Sequence, residues 1–342
     1  MKLGFLLPAS NAVGSPFNGV REQAYFQTDA LKQLGHEVIR MSPWEKYSLE
    51  EFDFVQFYTG GPHFHEIGKR SPSPIARLVF APIIDTKVPN IFYRASALLG
   101  DQTSKIKTIQ SYFRQQARES ALVIARSKDE HDKLIKGLGA EPSKVKIVLN
   151  GTPAPNDNAD PDYSRKKFEI DSDFVFHLSR ITNDVKNVIT MIKAIGPTGI
   201  PLVLGGTADE QSKNFLQIKS LVDKFRNIRW IGRVTEDEKQ SLYSACKVFC
   251  LPSHFEGTGL VAVEAASYGA HIIITANGGP PDYFLNFAWY TKTGSLEEIQ
   301  RHVQEAFNSP KSNNLRDHVR NHLTWKNSGA SLVAAYESVI GR

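Results

Sequence analysis

The sequence predicts an α/β protein made of two doubly wound domains, each a parallel sheet covered by helices. Three observations predict it. Short apolar runs alternate with stretches of helical periodicity, the pattern of βαβ units. The alternation stops at a polar, Pro-rich segment over residues 151–164 and then restarts. The length of 342 residues is more than one hydrophobic core fills and suits two.

The elements follow in order. Lys2–Leu7 reads as the first strand; Pro8 and the polar Ser10 and Asn11 break its apolar run, which sets it apart from an export signal. Glu22–Leu34 places Tyr25, Phe26, Ala30, Leu31 and Leu34 at helical spacing, and Gly35 stops that helix before a strand at Glu37–Met41. Phe52–Tyr58 is a strand closed by Gly60-Gly61-Pro62. Asn90–Tyr93 and Leu122–Ala125 read as buried strands, Lys128–Lys136 as a helix and Val145–Leu149 as a strand. After the linker, strands are expected at Phe174–Leu178, Pro201–Leu204 (ended by Gly205-Gly206), Ile228–Ile231, Val248–Leu251 and His271–Thr275. Helices are expected at Asn187–Ile195, Phe215–Phe225, Glu236–Cys246, Leu260–Tyr268 and Leu296–Phe307, with a last one, Gly329–Ile340, after Trp325. A crevice belongs at the carboxyl ends of such parallel strands.

Composition narrows the class. No run approaches the roughly 20 apolar residues that span a bilayer, and without an export signal a cytoplasmic protein is expected. The net charge is +5, spread without a dense Lys/Arg block. That balance fits a phosphorylated small ligand, or weak contact with the inner face of a membrane, better than a nucleic-acid groove, and most of these cations read as ordinary solvated surface. The two cysteines, Cys246 and Cys250, sit in the apolar run Ala245–Leu251 and read as buried thiols at a helix-to-strand junction, with too few ligands nearby for a metal.

Two segments carry chemistry. In Leu251–Ala266 an apolar strand runs through a turn containing Gly257 and Gly259 into a helix. Amides at a helix start face an anion with the helix dipole behind them, and glycine lets a phosphate come close. Glu264 lies on that otherwise apolar helix. It either accepts hydrogen bonds from ligand hydroxyls or forms an internal ion pair with a Lys or Arg. Glu256 precedes the helix in the loop. In the second segment, Leu178–Asn187, Arg180 follows a strand and Lys186 precedes a helix, and two cations at the carboxyl end of a parallel strand suit a diphosphate. His63 and His65, in the loop after Tyr58, read first as a surface pair, with contact to a second substrate as the functional alternative; a metal would want a third ligand. His177 and His271 lie within strands and read as structural. Neither Gly205-Gly206 nor Gly257-x-Gly259 completes the Gly-x-Gly-x-x-Gly of a nicotinamide dehydrogenase.

The second half resembles the retaining GT-B glycosyltransferases of family four. Glu256 and Glu264 match that family's Glu-x7-Glu pattern, and Arg180 and Lys186 its Arg-x5-Lys pair. Asn227–Val234 resembles its base-holding strand and loop, and Ile274–Pro280 its Gly-Gly loop. More weakly, Asn18-Gly19, Gly35–Val38 and Asn150-Gly151 resemble its N-terminal motifs. The resemblance implies a GT-B fold, two Rossmann-like domains facing a central cleft: residues 1–155 on the acceptor side, 165–325 binding the donor, and a C-terminal helix at about 326–342 packing back on the first domain. It implies transfer of a sugar, with retention, from a nucleoside-diphosphate sugar to an acceptor hydroxyl, a UDP-sugar being expected ahead of a GDP-sugar and neither cofactor nor metal being required. Arg180, Lys186 and Glu256 would be catalytic. Glu264 would hold the ribose, Gly257, Thr258, Gly259 and Leu260, with Gly19, would meet phosphates, and Arg233 and Val234 the base. Acceptor-side candidates are His63, His65 and Arg94. Three positions depart from the pattern: Thr258 stands for an aromatic residue, Asp282 lies near the place of a Glu, and Arg94 near that of a His. A GT-B nucleotide-sugar epimerase, a phosphorylase and a non-catalytic sugar-nucleotide-binding subunit stay open as alternatives.

Overall fold

A computed structural model describes residues 1–8, 19–42, 44–62, 64, 78–102, 107–292 and 294–340. The chain divides into two compact units, one of Met1–Gly151 with Trp325–Arg342, the other of Thr152–Thr324.

The first unit holds six parallel strands: β1 (Lys2–Leu6), β2 (Glu37–Arg40), β3 (Phe54–Tyr58), β4 (Leu78–Ala81), β5 (Leu122–Ala125) and β6 (Val145–Ile147), in the order β2-β1-β3-β4-β5-β6. Its helices are α1 (Gly19–Gln33), α2 (Asn90–Gln102), α3 (Ile109–Glu119) and α4 (Lys128–Asp132), the last continued by a π turn over Lys133–Gly137. Strands β3, β4 and β5 are buried along their whole length, as parallel strands covered on both faces must be. Alternate residues serve opposite faces. Leu122 and Ile124 join one apolar cluster with Leu3, Phe54 and Leu31, whereas Val123 and Ala125 join another with Phe80, Phe113 and Leu134.

One expectation fails here, and one strand was not foreseen. Asn90–Tyr93 is no strand; it is the first turn of α2. The strand that pairs with β3 is Leu78–Ala81, an apolar quartet just ahead of it.

The second unit begins at Thr152, whose N–H donates to the Leu323 carbonyl (2.8 Å) at the unit's far end. The supposed linker is partly helical. Asp160 caps α5 (Pro161–Lys167), its carboxylate accepting from the Asp162 N–H at 2.9 Å, and Pro161 takes the first helical position, where its missing N–H costs nothing. Then come β7 (Val175–Arg180), α6 (Val188–Ile195), β8 (Leu202–Thr207), α7 (Lys213–Lys224), β9 (Ile228–Gly232), α8 (Glu236–Ala245), β10 (Val248–Leu251), α9 (Leu260–Ser267), β11 (His271–Thr275), α10 (Pro280–Phe284), β12 (Trp289–Thr291), α11 (Leu296–Asn308) and α12 (Asn314–His322). β8 runs on through Gly205-Gly206, and β12, α10 and α12 were not foreseen. The sheet is parallel in the order β12-β11-β10-β7-β8-β9. The chain leaves β7 toward β8 and β9, then crosses back to β10 on the other side. The switch point is therefore the gap between the carboxyl ends of β7 and β10.

The final helix, α13 (Trp325–Glu337), belongs to the first unit. Trp325 stacks on Phe26 at 5.2 Å, Tyr336 stacks on Phe54 at 5.0 Å, and the Tyr336 hydroxyl donates to Gln56 Oε1 at 2.8 Å. Both cysteines are free and buried, and burial pushes the Cys246 thiol up to about 12 and the Cys250 thiol higher still, so both stay protonated. Among the described residues no helix is long and apolar enough to cross a membrane.

Candidate functional site at the switch point of the second sheet

Arg180 is the last residue of β7 rather than the residue after it, and it emerges exposed at the carboxyl edge. The chain turns through Ile181–Asn183 into one 3₁₀ turn, Asp184–Lys186. Asn183 caps that turn by accepting from the Val185 N–H at 2.9 Å. Asn187 follows in the left-handed region (φ 56°), a conformation that Asn tolerates better than other side chains with a Cβ. It ends the short turn and starts α6 in a new direction.

Two contacts stitch this loop to the one after β10, and a third ties it to the segment after β12. Asn187 Nδ2 donates to the carbonyls of Pro252 (3.2 Å) and Gly294 (2.9 Å), and the His254 N–H donates to the Val185 carbonyl at 2.7 Å. Lys186 Nζ lies 2.7 Å from Glu256 Oε1. Ser253 Oγ donates to the same oxygen at 2.6 Å. Glu256 is buried, so it needs such partners.

The backbone of Glu256 is held as tightly as its side chain. Its N–H donates to the Asn277 carbonyl (3.2 Å) and its carbonyl accepts from Gly279 (3.0 Å). Gly278 makes this possible: at φ 102° a Cβ there would lie 2.1 Å from the Glu256 carbonyl oxygen. The Gly-Gly loop thus positions Glu256.

Gly259 caps α9 in the left-handed conformation. The amides of Leu260 and Val261 head that helix, where no earlier turn supplies a carbonyl. Thr258 is buried and turns its hydroxyl toward the Tyr283 hydroxyl at 3.3 Å.

Glu264 departs from the buried, unpaired acid its neighbours suggest. Its side chain keeps 18% of its surface and pairs through Oε2 with Lys239 Nζ at 3.0 Å, while the Tyr243 hydroxyl donates to the same oxygen at 3.1 Å. Burial acts to lower the Lys239 ammonium, but Glu264 and Glu236 outweigh it and hold it above its ordinary value. Of the two readings of Glu264, the internal ion pair is therefore present, and it engages one oxygen only.

His177, one turn of strand before Arg180, is buried. Its Nδ1 lies 2.7 Å from the Cys250 carbonyl, which only accepts, so Nδ1 carries the proton and Nε2 accepts from Ser179 Oγ at 2.7 Å. Burial lowers its pKa to about 4, the Cys250 carbonyl opposes that and the nearby Lys186 adds to it.

The second sheet thus gathers Arg180, Lys186, Glu256 and the stretch Gly257–Leu260, with Glu264 further along α9. Arg233 and Val234 follow β9 at the sheet edge. Gly19 heads α1 in the first unit. Arg94 is not beside a strand end at all: it is an exposed residue of α2, and the place after β4 belongs to Pro82–Ile84. His63 and His65 lie outside the described residues. Among the described residues no group of three or more His, Cys, Asp or Glu is placed to hold a metal ion. Sequence reasoning missed Asn187, Ser253 and Lys239. Only Asn187 carried a signal, an αL-tolerant residue just before an apolar helix.

Comparison with known proteins adds the following. Residues 161–322 match the family Glycosyl transferases group 1. A D-inositol 3-phosphate glycosyltransferase of Mycobacteroides abscessus is 26% identical over 174 residues, 48% of this chain and 38% of that protein. For four such curated relatives the matched stretch spans 17% to 39% of the relative's own length. Among solved structures, a sucrose-phosphate synthase from Thermosynechococcus elongatus superposes with a TM-score of 0.75 at 14% identity, covering all of both chains. HepE of Anabaena, in complex with UDP-glucose, gives 0.62 at 16% identity over 100% of this chain and 98% of that one. The fold is that of the GT-B glycosyltransferases, two six-stranded parallel α/β sheets.

Proposed function

We propose that this protein is a retaining glycosyltransferase that moves a sugar from a nucleoside-diphosphate sugar, UDP-linked, to an acceptor hydroxyl. One observation carries the reading: Lys186 pairs with Glu256 between the carboxyl ends of β7 and β10, in the loops that Arg180 and the head of α9 adjoin in the chain. Arg180 has no carboxylate partner among the described residues, and an exposed, unpaired guanidinium at that edge is suited to a diphosphate. Lys186 reaches the same region while anchored to Glu256, and the amides of Leu260 and Val261 add the positive end of a helix. Glu264, held through Oε2, offers Oε1 to ribose hydroxyls. Glu256 offers its second oxygen to the sugar, and the loop at Arg233 and Val234 takes the base.

In the reaction the bond between the sugar's anomeric carbon and the diphosphate oxygen breaks as the acceptor oxygen bonds to that carbon from the same face. The acceptor proton passes to the departing phosphate. Glu256 is already engaged by Lys186 and Ser253, which favours this course over a covalent carboxylate intermediate. The protein supplies position and charge. On this reading Arg180 and Lys186 neutralise the leaving group in place of a divalent ion, so transfer is expected to survive EDTA.

The test is a panel of UDP-, GDP- and ADP-sugars scored by thermal shift, then by transfer, with the anomeric configuration of the product read by NMR. A true donor stabilises in proportion to its occupancy. No stabilisation by any nucleotide sugar, or an inverted product, would sink the corresponding part of the proposal.

A further inference from the structure

Helix α2 is built with its amphipathic pattern facing the wrong way for a helix that has only its own domain to cover. Tyr93, Ala97 and Gly100 point inward and are buried. The outward face is the apolar one. Ile91, Ala95 and Leu99 follow one another at four-residue spacing along it, with Phe92 two turns before Leu99 on the same side. Ile91 is 73% exposed, Phe92 66% and Leu99 54%. Val88, just before the helix, is exposed as well. A contiguous apolar stripe on a helix is a docking face, not the scattered surface hydrophobicity found on any protein.

The charges beside the stripe are one-sided. Arg94 and Lys87 are exposed and form no ion pair among the described residues, and Lys107 reaches back to the Gly100 carbonyl at 3.1 Å. The nearby acids are already engaged: Asp101 by Arg114 at 2.9 Å and Asp85 by Arg126 at 2.8 Å. Among the described residues the free charge around the stripe is therefore positive.

We propose that this face of α2 docks the protein onto an anionic lipid bilayer, Ile91, Phe92 and Leu99 entering the acyl boundary while Arg94 and Lys87 meet the headgroups. The chemistry is that of an interfacial amphipathic helix, which lies in the plane of the membrane. A second copy of the chain fits less well, because an isologous contact through this face would bring the cations Arg94 and Lys87 of both copies into one interface with no acid left to answer them among the described residues. The inference does not rest on the donor site: Arg94 follows no strand, and its place on this face gives it a role apart from sugar transfer.

The experiment is co-sedimentation of the full chain with phosphatidylcholine vesicles, with and without roughly one part in four of phosphatidylglycerol. Pelleting is expected with the anionic vesicles and little with phosphatidylcholine alone. It should weaken as salt rises from about 0.1 M to about 0.5 M. Ile91→Glu/Phe92→Glu should lower the partition coefficient by at least about tenfold, since two inserted side chains are lost. Lys87→Glu/Arg94→Glu should lower it by on the order of fivefold or more per cation. All four positions are exposed, so melting temperatures should stay at the parent value. Should the glutamates unfold the chain, Ile91→Ser/Phe92→Ser gives the same reading. The proposal is overturned if the parent fails to pellet with anionic vesicles, pellets equally with both kinds, or keeps its binding in the Ile91/Phe92 variant. It is also overturned if the parent instead forms a concentration-dependent dimer that this variant abolishes.

Discussion

Lys186 and Glu256 have two duties that a single substitution confounds. Their contact is mostly shielded from water, and removing one partner of such a pair leaves an uncompensated charge, at a cost of up to about 3–5 kcal/mol when fully buried. Lys186→Ala should therefore lose both stability and turnover. Adding Glu256→Gln to it removes the stranded carboxylate and should return most of the lost melting temperature, while turnover stays at least about 100-fold down because charge on the leaving diphosphate is still unanswered. Recovery of activity together with stability in the double variant would show that Lys186 is only structural. His177 gives a residue-scale pH effect. Its pKa is lowered to about 4 by burial, so between that value and about 6.5 the unfolded chain binds a proton that the native chain refuses. Stability due to this group is full above about 6.5 and falls as the pH drops toward 4, by up to roughly 3 kcal/mol. Denaturant midpoints for the parent should slope downward with acid between pH values of about 6.5 and 5, and those for His177→Gln should be flatter across that window.

At the scale of elements, most strands buried on both faces were legible, although β4, an equally apolar quartet, was passed over. The apolar quartets of β5 and β10 can be nothing else between helical stretches. The same rule misfired at Asn90–Tyr93. Ile91 and Phe92 look buried in sequence because they are apolar, yet they are exposed on α2, and periodicity cannot tell an outward apolar face from an inward one. The site was legible as residue types at carboxyl strand ends. Its supports were not, because they come from other elements: Lys239 and Tyr243 reach Glu264 from α8, and Asn187 is gripped by the carbonyl of Gly294, far along the chain. The Gly-Gly loop shows how an element acts on chemistry it does not perform. Gly278→Ala places a methyl group against the Glu256 carbonyl and strains a left-handed backbone, at about 1–3 kcal/mol. Glu256 should shift with it, so turnover should fall more than nucleotide affinity. Calorimetric titration beside initial rates separates the two, and equal losses in both would mean that the loop holds the nucleotide rather than Glu256.

At the scale of the whole molecule, the chain leaves the first unit at Gly151 and returns at Trp325, so the second unit is a continuous insertion while the first is split. The two halves of that split unit depend on each other. Trp325 and Tyr336 stack on Phe26 and Phe54, and Leu332 lies in the same apolar cluster as Leu3 and Leu31. Residues 1–151 alone would expose that surface, and are expected to aggregate or to unfold well below the parent. Residues 152–324 lack nothing comparable: their sheet, their core and the cluster of Arg180, Lys186, Glu256 and Glu264 all lie within them. That fragment is expected to fold alone and to bind a nucleoside diphosphate, with no transferase activity. A ligand at 100 times its dissociation constant stabilises its host by about 2.7 kcal/mol. Scanning calorimetry of the full chain should then show two transitions, and UDP should move only the one that matches the isolated 152–324 fragment. Movement of the other transition alone would place the nucleotide in the first unit and dismantle the site assigned to Arg180, Lys186 and Glu264.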